Sequence, residues 1–145
     1  MERMIYPVQL TPDSVDGGFT VTCRDFPEVI TQGDTRTDCL VEAADCLEEA
    51  IASRIKRGAD IPEPSAPLDG EQLVAVPLSM SLKAALYQAM KEDEISKSEL
   101  ARRMECDEKD VRRMLDPRHP TKAPAMEKAL ALLGRRVVVG IRKAA

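Results

Sequence analysis

The side chains best suited to act on a partner lie in ELARRMECDEKDVRRML, residues 99–115. The run reads as two short helices hinged at a tight turn, the second carrying Lys109, Arg112 and Arg113. Guanidinium and ammonium groups on an exposed helix pair with phosphate oxygens or with base edges, and arginine to guanine is the commonest specific pairing in a major groove. Arg113 and Lys109 are therefore the candidates for reading bases. Glu108 can accept from cytosine or repel phosphate. Arg112 can face DNA or pair with Glu108 four residues earlier, and the spacing leaves both open. Lys97 and Ser98 open the preceding helix, where side chains and free backbone amides meet phosphate. Arg118, His119 and Lys122, around the loop HPTKAP, offer a second phosphate contact.

Other chemistry finds little support. Cys23, Cys39, Cys46 and Cys106 have 15, 6 and 59 residues between them, and the single His119 completes no familiar zinc spacing. Reduced, packed thiols are expected, because free cysteine behaves as a small hydrophobe. His119 has no serine or cysteine nucleophile in its sequence context. No metal or cofactor is expected.

Charge divides the chain. Residues 1–78 hold 6 basic and 15 acidic side chains, net −9, whereas residues 79–145 hold 15 and 10, net +5. Two modules with different partners are the reading. An acidic chain can still carry a DNA-binding face, because salt screens charges beyond about 8 Å. With no Trp, two Phe and two Tyr, the cores must be built from aliphatic residues and seven Met. The N-terminus MERMIYPVQL has no signal-peptide layout, and no run approaches the roughly 18 apolar residues of a membrane span, so a cytoplasmic protein with no membrane partner is expected.

These side chains need elements to position them. Met4, Tyr6, Val8 and Leu10 alternate with Ile5, Pro7 and Gln9, predicting a strand; Pro7 places it at a sheet edge or itself at an unpaired position. Asp16-Gly17-Gly18 is a turn, Phe19–Cys23 the returning strand of a hairpin, and Val29–Gln32 a third strand. Thr35 and Asp38 open a helix whose apolar face, Leu40, Ala43, Ala44, Leu47, Ile51 and Ile55, runs to Lys56 before Gly58. Its other face carries Glu42, Asp45, Glu48 and Glu49, an ordinary solvated face. Three prolines between Pro62 and Pro67 predict an extended connector, and Leu73–Val76 a fourth strand. Beyond Pro77 the texture is helical. Ser79 or Ser81 caps one helix, Ser96 or Ser98 a second, Asp107 a third and Thr121 a fourth that ends at Gly134. Val137–Ile141 predicts a C-terminal strand.

Between residues 96 and 115, Leu100, Met104, Cys106, Val111 and Met114 supply the apolar groups that two steeply crossing helices need, and Ala101 supplies the small residue at the crossing. This pattern resembles the helix-turn-helix of Cro- and Xre-type repressors, with Glu105 where that family usually has glycine. Such a domain commonly uses a twofold partner on a second half-site about 34 Å away. The apolar RVVVGI segment, paired with its copy in a second chain, would supply that homodimer or a higher homo-oligomer.

The segment YPVQLTPDSVDGGFTVTCRDFPEVITQGDT resembles the N-terminal domain of HicB antitoxins, through the opening strand, the Gly-Gly hairpin, Phe26-Pro27-Glu28 and the TQGDT stretch. The PLS segment at 77–79, leading into a helical domain, is similar as well. The resemblance implies an α+β chain. Residues 1–78 would form a small sheet with one helix, a partial ribonuclease-H-like, toxin-binding domain without nuclease activity. Residues 79–145 would form an all-α helix-turn-helix domain for DNA binding and dimerisation, with a C-terminal strand. Implied partners are a HicA-like ribonuclease toxin that cuts mRNA, and double-stranded operator DNA bound for self-repression. A −9 module is electrostatically complementary to an RNA-cutting partner, though acidity alone equally serves solubility. The toxin-contacting residues are not legible. Ribonuclease H chemistry needs clustered carboxylates holding metal ions, one from the middle of the first strand, and Met4–Leu10 has none. Asp13, Asp16, Asp25 and Glu28 lie at turns, so no enzyme is expected. The alternative is a stand-alone transcription regulator whose N-terminal domain senses a ligand or a protein.

Overall fold

A computed structural model describes residues 4–144. The backbone falls into two compact units, the first ending at Ser81 and the second beginning at Leu82. Four strands and one helix build the first: β1 (Ile5–Pro12), β2 (Phe19–Thr22), β3 (Ile30–Gly33), α1 (Arg36–Arg57) and β4 (Gln72–Ala75). The sheet order is β3-β2-β1-β4, with every neighbouring pair antiparallel.

β1 is an inner strand, and Pro7 survives there because the pairing is staggered. β4 pairs with residues 5–8 of β1 and β2 with residues 9–12. The carbonyl of Met4 accepts from the Val76 amide at 2.9 Å, so Met4, Tyr6 and Val8 aim their backbone at β4. Pro7, out of phase, turns its missing donor away from β4, on a side that β2 does not reach. Of the two positions predicted for it, the unpaired one is occupied.

At Gly18 (φ +70°) a Cβ would meet the Gly33 carbonyl oxygen at 2.5 Å, so glycine lets the hairpin close against the end of β3. α1 starts where the Thr35 side chain accepts from the Asp38 amide and stops at left-handed Gly58. It buries Cys39, Ala43, Leu47, Ala50, Ile51 and Ile55, and they join Tyr6, Val8, Val21, Phe26 and Val29 in the buried core. The Tyr6 and Phe26 rings meet edge to face at 4.9 Å, and the Arg54 guanidinium lies 4.9 Å over Phe26.

The proline-rich segment has no regular secondary structure, and it is strapped to its own unit. The Tyr6 hydroxyl donates to the Pro62 carbonyl at 2.7 Å. The Asp25 carboxylate accepts from the Ser65 amide and hydroxyl at 2.9 and 2.5 Å. Arg24 donates to the Ala66 carbonyl and pairs with Glu71, which accepts from the Leu68 amide.

Helix α2 (Leu78–Glu92) begins before the boundary and continues past it. It starts ahead of both serines expected to cap it, and Ser81 Oγ donates back to the Val76 carbonyl at 3.0 Å. α3 (Lys97–Met104), α4 (Glu108–Leu115) and α5 (Ala123–Leu132) complete the second unit. Its core joins Leu82, Leu86, Ala89 and Met90 to Leu100, Met104, Val111, Met126 and Leu130. The predicted strand at Val137–Ile141 is not formed: the chain from Arg135 to Ala144 has no regular structure. Among the described residues this unit has no other strand to complete a ladder. Val137 packs against the helices, while Val138 and Ile141 are 85% and 96% exposed.

Candidate nucleic-acid interface

α3 begins at Ser96, whose hydroxyl accepts from the Glu99 amide at 3.1 Å. It ends at Glu105, where φ is +56° and the left-handed turn brings the Cys106 amide to the Ala101 carbonyl at 3.0 Å. Glu105 thus takes the conformation that glycine adopts more cheaply. Asp107 stands at the start of α4 as expected, but its side chain makes no capping bond.

Burial sorts the two helices into faces. Leu100, Ala101, Met104, Val111 and Met114 are buried, Cys106 partly so. Lys109, Arg112 and Arg113 are exposed, and Glu108 is half-buried. Arg112 pairs with Glu108 at 2.9 Å, and Arg113 lies 3.8 Å from Asp110. On α3, Arg102 and Arg103 grip Glu99 at 2.6 and 3.0 Å and hold its carboxyl down at about 2.

The remaining candidates lie on two flanking segments. Lys97 and Ser98 are exposed at the start of α3. Ser96, Lys97 and Leu115 line one open depression of about 330 Å³ with Tyr87, Met90 and Ile95, so the start of α3 adjoins the end of α4. Arg118 and Lys122 are exposed in the loop ahead of α5, and His119 is half-buried. Lys122, not Thr121, occupies the position before α5, and no side chain caps that helix. Thr121 instead accepts from Lys83 Nζ at 3.0 Å.

Lys83 was not among the predicted residues. It is 3% exposed on α2, and its ammonium also donates to the carbonyls of Arg113 and Met114 at 3.2 and 2.9 Å. Desolvation pushes its pKa down, and the Asp116 carboxylate opposes that shift. One sequence signal marked it: Lys83 is the only charged residue between Glu71 and Lys91.

The acidic unit displays no comparable constellation. Glu28 is bound by Arg54 at 2.7 Å, while Asp25 and Glu71 hold the proline segment. Glu42 and Asp45 are exposed on α1. Burial raises the pKa of all four thiols, keeping them protonated. Among the described residues no group of three or more His, Cys, Asp or Glu is arranged to hold a metal ion. No described helix is long and apolar enough to cross a membrane.

Known proteins give this arrangement its context. Residues 5–85 match the family described as HicB_like antitoxin of bacterial toxin-antitoxin system. Antitoxin HicB 1 of Photorhabdus laumondii is 36% identical over 97% of this chain and 89% of its own length. Antitoxin HicB of Escherichia coli is 35% identical, covering 92% of this chain and 96% of its own. Antitoxin HicB of Pseudomonas fluorescens is 32% identical over 88% of each. A likeness that runs through the sheet, α1 and the helical unit together has one consequence: the chain belongs to the HicB-like antitoxin family.

Proposed function

We propose that this antitoxin binds and neutralises a HicA-like, mRNA-cleaving toxin and represses its own operon by binding operator DNA in the cytoplasm. Residues 1–78, a partial ribonuclease-H-like domain, take the toxin. Their net charge of −9 complements the basic surface that an RNA-cutting protein needs, and covering that surface requires no catalysis by the inhibitor. Residues 79–145 bind DNA, with α3 and α4 as a helix-turn-helix. Arg113 and Lys109 read bases, while Lys97, Ser98, Arg118 and Lys122 hold phosphates. Glu108 and Arg112, paired with each other, flank the reading positions. A homodimer forms when the exposed Val138–Ile141 segments of two chains pair as strands, satisfying backbone groups that one chain leaves open.

The main support is the sorting of α4, whose Val111 and Met114 are buried while Lys109 and Arg113 are exposed, in a chain that aligns with antitoxins over most of its length. The test is co-expression with the product of the adjacent short reading frame, about 60–90 residues and basic, as one small domain would be. A stable complex that loses RNA-cutting activity and retards DNA from its own promoter is the expected result. A chain that takes no such partner, and whose DNA affinity responds to a metabolite, would be a stand-alone sensor.

A further inference from the structure

We propose that Lys83 is a positioning residue for DNA reading: its buried ammonium ties the C-terminal end of α4 to the loop before α5, fixing the spacing between base-reading and phosphate-holding side chains. The inference rests on the DNA-binding function proposed above. It starts from how α4 ends. The last carbonyls of a helix lack intrahelical partners and carry the negative pole of its dipole. α1 and α3 meet this need with a left-handed residue, Gly58 or Glu105, that folds the following amides back onto those carbonyls. α4 does not. Its terminal Asp116 is extended, with φ −75° and ψ 114°, and returns a single amide to the Arg113 carbonyl.

Lys83 completes the end. An ammonium has three donors, and this one has three acceptors: the Arg113 carbonyl at 3.2 Å, the Met114 carbonyl at 2.9 Å and Thr121 Oγ1 at 3.0 Å. Burying a charge is costly unless its partners are complete, so the three acceptors must stay where they are for the site to hold. Two are backbone atoms of α4, one belonging to Arg113 itself. The third lies in the loop between Arg118 and Lys122, and Thr121 Oγ1 also reaches the Arg113 carbonyl at 3.5 Å. One nitrogen therefore joins the reading helix, the phosphate-contacting loop and α2. If the clamp is released, α4 remains a helix packed through Val111 and Met114, but Arg113 and the loop are no longer held in one register.

The test uses the full-length chain and duplexes that the wild type enriches from a random library. Affinity is measured on an enriched duplex and on its scrambled version at one salt concentration, for wild type, Lys83→Met and Thr121→Val. Lys83→Met is expected to weaken the enriched duplex about tenfold, and the scrambled one about threefold or less, with the salt slope on scrambled DNA unchanged. Thr121→Val should shift the ratio the same way and less. A purely structural role would lower both affinities together. A folded Lys83→Met chain that keeps the wild-type ratio of enriched to scrambled affinity overturns the proposal. Should Lys83→Met not fold, by circular dichroism, the ratio for Thr121→Val decides, and an unchanged ratio overturns it. If the wild type enriches no sequence, the DNA-binding reading itself falls and takes the clamp with it.

Discussion

Glu105 holds a backbone conformation with φ +56° that costs a side-chain-bearing residue about 1 kcal/mol relative to glycine. Glu105→Gly should therefore raise the stability of the helical unit by up to about 1 kcal/mol in thermal or urea melts. Glu99 gives a pH signature. Its carboxyl, held at about 2 by Arg102 and then Arg103, stays charged far below the ordinary carboxylate range. The sign follows: the folded chain binds this proton less readily than the unfolded chain, so the contribution is present above pH 4.5 and lost as pH falls toward 2. A carbon-detected NMR titration should show that midpoint, and salt should move it upward because the site is open to solvent. For DNA, Lys97→Ala or Lys122→Ala should weaken all sequences alike and shallow the salt slope by about one unit, whereas Arg113→Ala should relax preference at one base pair. At this scale the sequence disclosed surface charge well, and of the two readings it left open for Arg112 the pairing with Glu108 is the one formed. Lys83 escaped because periodicity places residues 82, 85, 86 and 89 inward without deciding whether a long aliphatic stem beside them ends in water or in the core.

Among the elements, local signals carried furthest where one residue type has one physical use. The Thr35 cap and Gly58 stop of α1, the Gly-Gly hairpin and the Ser96 start of α3 all formed as their chemistry demands. Gly18→Ala should cost about 2 kcal/mol or more in a denaturant melt, since it adds left-handed strain to a clash with the Gly33 carbonyl. Local signals ran out where partners decide. Pro7 could not reveal the staggered pairing that lets β1 be an inner strand. Val137–Ile141 has every intrinsic mark of a strand, yet a strand exists only beside another. The proline segment read as a connector free of helix and strand, and it has neither, but bonds to Asp25, Arg24 and Tyr6 join residues about forty or more positions apart, a range that no local pattern reports. Asp25→Ala should free it, so that limited proteolysis cuts between residues 62 and 68 faster than in the wild type while α1 stays protected.

For the molecule as a whole, the division of charge was plain from counting, and it matches the two kinds of partner proposed, a basic protein and an anionic helix of DNA. Deleting residues 136–145 should convert the proposed dimer to a monomer in light scattering and weaken the proposed operator binding through loss of the second half-site, with the proposed toxin binding kept. A truncated chain that remains dimeric would remove the strand-pairing scheme. Composition could not go further than this, because a −9 module is acidic for solubility and for recognition alike.

The strapped segment also bears on engineering. Residues 62–67 look like a spacer, the natural place to splice either half onto another protein. They are instead part of the wall of the first unit, and a junction there would strip Tyr6 and Asp25 of their partners. A chimera joined after β4, at Pro77, leaves that wall whole and passes directly into the next helix.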